Sequence, residues 1–220
     1  IVKGAFRLGI IPTVSPYLLP KLMQVHRENK YDVRIVISEL TTDQILKGLS
    51  NDSLDGGILA TPLNEPSIKE HPIYYERFFA YVSPLEKSLF AKTALDESDL
   101  NSAPHCFRTQ ILHLCNLKKK RGTNNSIFSY EAGSIDTLIN IVDQNEGLTV
   151  IPEMALANMS EKQKKSVRPF KNSTPVREIS LVTRQEFLRE RMIGIIVDEI
   201  KSAVPKSYQD TAMKKYVVPL

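Results

Sequence analysis

The chain has two cysteines in 220 residues, no apolar run near the roughly 20 residues of a membrane span, and no phosphate-binding glycine loop. The first scarcity excludes a disulfide-dense scaffold, because a chain of this size buries enough core to be stable without staples. The second argues against a membrane-spanning protein. Gly4 and Gly9 are spaced like part of a nucleotide loop, but no Lys-Ser or Lys-Thr follows and no strand is followed by Gly-x-Gly-x-x-Gly. Nucleotide binding is therefore unsupported. The sequence also lacks a Gly-x-Ser-x-Gly elbow, a His-Glu-x-x-His helix, a helix-turn-helix, an internal repeat and any low-complexity tract. Ile1-Val2-Lys3-Gly4 contains neither an initiator Met nor a basic-then-apolar leader, so the chain reads as an excised piece of a longer protein.

What is present is ordinary globular composition: 42% hydrophobic and 25% charged residues, with 9 Gly and 13 Pro. The net charge of +4 is modest and dispersed, which gives no argument for a polyanionic partner. The run Lys118-Lys119-Lys120-Arg121 lacks interleaved aromatics or glycines and reads as a solvated turn.

Hydrophobic periodicity predicts a strand at Phe6 to Ile11, then prolines 12, 16 and 20 punctuating a helix through Leu18, Leu22 and His26. Asp32 to Leu40 alternates as a strand. Thr41-Thr42-Asp43 offers N-cap groups to a helix containing Ile45, Leu46 and Leu49, and Leu54 to Ala60 is a third strand. This β-α-β-α-β order implies a parallel sheet with right-handed crossovers. A longer β stretch at Ile73 to Ser83 could pass from one sheet to another. A second α/β unit follows, with an extended Ile127 to Glu131, an amphipathic helix from Ser134 to Gln144 and a strand from Leu148 stopped by Pro152. Glu178 to Thr183 is a return strand, and Phe187 to Val204 is a closing helix. The expected fold class is α/β, with two lobes: residues 1–75 with 185–220 form the first, and 76–184 form the second, which carries both cysteines.

Both cysteines fall in the segment from Pro104 to Cys115, along with two of the four histidines, His105 and His113. Cys106 is flanked by His105 and, two positions on, by Arg108; cationic neighbours lower a thiol pKa from about 8.5 toward roughly 3.5 to 7.5. Cys115 has no adjacent cation. If the intervening segment were helical, the two residues would lie roughly 13 Å apart, whereas a disulfide requires Cα atoms within about 7 Å. Joining them would remodel the segment for a return of about 2 to 3 kcal/mol, a balance suited to a reversible switch. Three readings stand beside one another at this point: inert buried thiols, a zinc site from His105, Cys106, His113 and Cys115, and a redox pair with an attacking and a resolving thiol.

Several motifs together carry a family resemblance. Arg7-Leu8-Gly9-Ile10-Ile11-Pro12-Thr13-Val14-Ser15-Pro16, Leu54-Asp55, His105-Cys106-Phe107-Arg108 with Cys115, Thr137-Leu138 and Gly147-Leu148-Thr149-Val150-Ile151-Pro152 are similar to the regulatory domain of the LysR-type transcriptional regulators, in their hydrogen-peroxide-sensing OxyR branch. The resemblance implies two Rossmann-like subdomains joined by crossover strands, like type II periplasmic binding proteins. It also implies Cys106 as the peroxidatic and Cys115 as the resolving thiol, forming a reversible disulfide. Peroxide binding and activation would fall to Thr13, Thr42, His105, Arg108 and Arg184, with no metal and no cofactor. Read for local structure alone, Thr13 is a turn residue, Thr42 a helix N-cap and Arg184 a solvated arginine.

The implied protein is a sensor of hydrogen peroxide rather than an enzyme, controlling oxidative-stress genes in the bacterial cytoplasm with no membrane partner. It would be a homodimer or homotetramer, meeting promoter DNA through a helix-turn-helix outside this chain. RNA polymerase and a reducing thiol-disulfide oxidoreductase would be further partners. The competing function is a LysR-type or solute-binding module for a small organic anion, with structural cysteines; a thiol peroxidase is a third. Two departures from the resemblance are visible. Thr109 stands where the family has Asp, and only Asn101 to Pro104 separate Asp99-Leu100 from His105, where the family fits a strand.

Overall fold

The computed structural model describes residues 3–29, 31–102, 108–109, 131–132, 134–171 and 174–218. By their contacts these divide into two units, Ile1–Glu76 with Arg177–Leu220, and Arg77–Val176.

In the first unit the chain runs β1 (Lys3–Ile10), α1 (Ser15–Asn29), β2 (Asp32–Glu39), α2 (Thr42–Ser50) and β3 (Gly56–Thr61). This is the alternation the periodicity predicts. β1 pairs in parallel with β2 (Lys3 opposite Asp32, Ile10 opposite Glu39) and with β3 (Ile10 opposite Ile58). The return strand β9 (Val176–Arg184) adds antiparallel to β3, so the order is β2-β1-β3-β9. One face of this sheet presents Phe6, Leu8 and Ile10, all fully buried. Leu18 and Leu22 of α1 are buried too, as are Ile193, Ile196 and Ile200 of the closing helix α7 (Glu190–Ala203), which packs on α1. The other face takes α2, which approaches closely because Gly57 of β3 has no side chain: a Cβ there would overlap Ile45. Each buried Leu or Ile contributes about 1.5–3 kcal/mol of apolar burial.

Proline placement departs from the sequence expectation. α1 begins at Ser15, so Pro16 fits the first turn, whose N–H groups have no intrahelical acceptor, but Pro20 lies inside the helix. The closing helix begins at Glu190 rather than Phe187, and Phe187 instead packs edge-on against Phe6 at 6.1 Å.

β4 (Ile68–Val82) carries the chain out of the first unit and β9 carries it back. β4 starts five residues before the predicted Ile73, through Lys69, Glu70, His71 and Pro72, a polar stretch that gives no period-two signal. By its contacts β9 lies in the first unit from Arg177 onward, whereas the expected boundary followed this strand, at 184.

The second unit contains α3 (Lys87–Phe90), α4 (Glu97–Ser102), the two-residue strands β5 (Arg108–Thr109) and β6 (Glu131–Ala132), α5 (Ile135–Gln144), β7 (Leu148–Pro152), α6 (Glu161–Lys164) and β8 (Val167–Arg168). β4 pairs antiparallel with β7 (Phe78 opposite Pro152, Val82 opposite Leu148) and with β8. Ala80, Val82, Leu89, Leu95, Leu100 and Leu148 form one core cluster. α5 behaves as its spacing requires: Ser134 caps it by accepting from the Thr137 N–H, and Ile135, Leu138, Ile139 and Val142 are its buried face.

Candidate functional site

The parallel register sets the carboxyl ends of β1, β2 and β3 along one edge of the first unit, where open α/β sheets bind ligands. Thr13 lies in the connection after β1, Thr41 and Thr42 begin the helix after β2, and Thr61 ends β3. Because β9 runs antiparallel to β3, with Thr61 opposite Glu178, the start of β9 reaches the same edge. Two charged residues sit there in succession, Arg177 and Glu178, and strand alternation sends them to opposite faces.

Arg177 is 2% exposed, and a buried charge of this kind is tolerable only when paired and hydrogen-bonded. Its Nη2 lies 2.6 Å from Glu76 Oε1, to which Nε also donates at 2.8 Å, and Glu76 is itself 1% exposed. The rest of the fork grips Thr13: Nη1 donates to Oγ1 at 2.9 Å and Nη2 to the Thr13 carbonyl at 3.0 Å. Thr13 is thus more than a turn residue; it is buried and clamped through side chain and backbone. Sequence reading missed Arg177 and Glu76. The one available signal was a pair of opposite charges, Arg177 and Glu178, at the start of the return strand.

On the opposite face, Thr61 Oγ1 donates to Glu178 Oε1 at 2.7 Å and lies 2.6 Å from Ser180 Oγ. All three residues are buried. Burial, followed by a hydrogen bond to the Glu178 carboxylate and that group's charge, pushes the Tyr75 hydroxyl up to about 12. Tyr75 is therefore a neutral donor at physiological pH.

Thr42 is the first residue of α2 rather than its cap. Thr41, one residue earlier, accepts from the Gln44 N–H at 3.3 Å, while the Gln44 side chain accepts from the Thr41 N–H at 2.9 Å, a reciprocal capping box. Thr42 is half-buried. At the neighbouring helix start, the Ser15 hydroxyl donates to Glu39. Arg184, at the far end of β9, is 42% exposed and pairs with Asp52 at 2.6 Å. The antiparallel register with β3 puts it at the sheet edge opposite to Arg177, so the first unit does not bring it together with Thr13.

His105, Cys106, His113 and Cys115 lie outside the described residues, as does the extended stretch expected from Ile127 as far as Tyr130. Arg108 heads β5, which pairs in parallel with β6 (Arg108 opposite Glu131, Thr109 opposite Ala132), and α5 follows. The cysteine pair is therefore carried by the chain between α4 and α5. Among the described residues no group of three or more His, Cys, Asp or Glu is placed to hold a metal, and no helix is long and apolar enough to cross a membrane.

Residues 2–204 match the model of the LysR substrate binding domain. The chain belongs to that family, and its fold is the two-subdomain α/β arrangement with crossover strands of the type II periplasmic binding proteins. Among its relatives is the hydrogen peroxide-inducible genes activator of Haemophilus influenzae, 31% identical over 211 residues, which cover 91% of this chain and 69% of that protein. The HTH-type transcriptional regulator EstR of Acinetobacter baylyi is 26% identical over 207 residues, 91% of this chain and 67% of that protein. Of solved structures, the crystal structure of OxyR from Porphyromonas gingivalis matches with a TM-score of 0.87 and 28% identity, covering 94% of this chain and 96% of that one.

Proposed function

We propose that this chain is the hydrogen-peroxide-sensing effector domain of a LysR-type transcriptional regulator, switched by a reversible Cys106–Cys115 disulfide. The observation that carries the reading is the cysteine pair itself, set between α4 and α5 in a chain that follows a peroxide-inducible activator over 91% of its length. The Cys106 thiolate attacks one peroxide oxygen; the S–O bond forms, the O–O bond breaks, and the departing hydroxide takes a proton to leave as water. The Cys115 thiolate then attacks the sulfenic sulfur and displaces a second water. Two thiols and one peroxide become one disulfide and two waters, and an external dithiol reverses the change.

An unperturbed thiol is about 3% ionised at pH 7, so full ionisation accelerates attack only about thirtyfold, less once falling nucleophilicity is counted. Donors on the departing oxygen stabilise charge present only in the transition state, at roughly 3 to 4 kcal/mol each. Thr13, Thr42, His105 and Arg108 are the residues we assign to peroxide binding and activation; Arg184, expected among them from the resemblance, is left out because it pairs with Asp52 at the opposite edge of the sheet. The protein acts stoichiometrically, as a homodimer or homotetramer in the bacterial cytoplasm, through a DNA-binding domain outside this chain, with RNA polymerase and a thiol-disulfide oxidoreductase as further partners.

The test is free-thiol counting by mass spectrometry before and after one equivalent of peroxide. Loss of both thiols, abolished by Cys106→Ser, is expected; two thiols left free after peroxide sinks the reading. Membership of the LysR substrate binding domain family keeps a small organic anion as a second reading. Arg177 argues against it, since its guanidinium is already engaged by Glu76 and Thr13. Thermal stabilisation by organic anions under reducing conditions would favour the anion.

A further inference from the structure

We infer that the segment from Lys201 to Val218 is a surface of the first unit that binds the phosphate backbone of DNA. For the identity of the polyanion the inference rests on the DNA-binding regulator proposed above. From Pro205 on, the segment lies past residue 204, where the match to the family domain stops.

The segment is ordered by its own side chains. After α7 the chain makes two 3₁₀ turns, Lys206–Gln209 and Thr211–Tyr216. Gln209 Nε2 donates to the carbonyls of Lys201 and Val204 at 2.8 and 3.0 Å, filling acceptors that the last turn of a helix leaves open. Asp210 engages its carboxylate locally, accepting from the Ala212 N–H at 2.9 Å. Tyr208, Gln209, Met213 and Val217 are half-buried, whereas Lys201, Lys206, Lys214 and Lys215 are exposed. The side chains thus sort into an inner and an outer face.

The outer face is cationic and unbalanced. From Lys201 to Val218 the sequence has four lysines and one aspartate. Elsewhere Lys92 pairs with Asp99, Lys164 with Glu161 and Lys171 with Asp96. None of the four lysines here has a carboxylate partner among the described residues, and Lys215 instead lies 4.9 Å from the centre of the Tyr216 ring. Unpaired amines held on one surface attract a polyanion, and each phosphate they neutralise releases a counterion, so such binding ignores sequence and weakens steeply with salt. The net charge of the whole chain gives no argument for this partner; the placement of these four amines does.

The test measures binding of the reduced chain to a fluorescent duplex of about 30 base pairs by anisotropy, between about 20 and about 200 mM NaCl. The logarithm of the affinity is expected to fall with the logarithm of salt at a slope of about −3 to −4. Each single Lys→Gln change at the four positions should reduce that slope by about 1. Changing all four to Gln should lower the affinity at least about tenfold at the lowest salt, while changing all four to Arg keeps it.

Absence of binding by the wild-type chain, or undiminished binding by the fourfold Gln variant, overturns the inference. So does an equal loss when Lys118, Lys119, Lys120 and Arg121 are changed to Gln instead, because binding then follows net charge and not this surface. Binding to phosphatidylserine vesicles without binding to the duplex overturns it as well. Free-thiol counting after peroxide does not read these lysines, so failure here leaves the peroxide reading intact, and failure of that reading leaves the anisotropy result standing.

Discussion

His26 and Glu199, 173 positions apart, meet with imidazole Nδ1 2.8 Å from carboxylate Oε2, while Nε2–H donates to the Val33 carbonyl at 2.8 Å. Glu199 is 1% exposed and also accepts from the Asn29 side chain at 3.2 Å. One side chain therefore ties α1, β2 and α7 together. His26→Ala strands a buried carboxylate, and a loss of about 3 kcal/mol is expected in urea unfolding of the first unit. Glu199→Gln, which keeps a hydrogen-bonding oxygen, should cost less. Near-neutral behaviour of His26→Ala would remove the pair from any account of this corner.

Tyr74 is fully buried, and its hydroxyl has no hydrogen-bond partner among the described residues. Burial first, and the neighbouring Glu76 charge second, hold that hydroxyl in its neutral form. An unsatisfied buried donor destabilises the fold, so Tyr74→Phe is expected to raise stability by about 1 kcal/mol, read as a higher thermal midpoint. A drop instead would mean that the hydroxyl has a partner worth keeping.

The two threonines at the start of α2 should separate cleanly. Thr41→Val breaks the capping box and is expected to cost about 1 kcal/mol with little effect on peroxide reactivity. Thr42→Val should leave stability within about 0.5 kcal/mol and slow oxidation of Cys106. Unfolding and peroxide kinetics on the same pair decide it, and the reverse pattern would transfer the reactive hydroxyl to Thr41.

Asp96 precedes α4, the last described helix before the cysteine segment, and its carboxyl is held down to about 2 by the Ser98 hydroxyl first, then by the Asp99 N–H and Lys171. Its folded pKa lies below an unfolded value of about 3.9, so the stability it contributes is complete above that value and is lost as pH falls toward about 2. Asp96→Asn should therefore be less stable than wild type at pH 6 and converge with it near pH 2. A gap that stays constant across that range would mean the charge is not what matters.

Local periodicity carried far in this chain. The buried face of α5 falls on the residues spaced for it, and the β-α-β-α-β order of the first unit matches the alternation of Asp32–Glu39 and the caps around Thr41. These signals are short-range: a cap, a turn or an amphipathic stripe is written in residues three or four apart. Where polar residues interrupt the pattern, as at Lys69 to Pro72 in β4, the element extends beyond its signal, because a strand is held by its backbone groups and side-chain periodicity does not record them.

The sequence by itself determined the class of fold, and it singled out Cys106, Cys115 and Thr13 with a chemistry to assign them. Tertiary structure alone decided what holds Thr13. Arg177 stands 164 positions from Thr13 and 101 from Glu76, and no local pattern relates residues so far apart. They meet because β9 returns antiparallel beside β3 and delivers its first charged residue to the carboxyl edge of the parallel strands. The same return puts Arg184 at the other end of the strand, paired with Asp52. Two arginines of one strand, alike in sequence, thus take different work from the direction in which their strand runs.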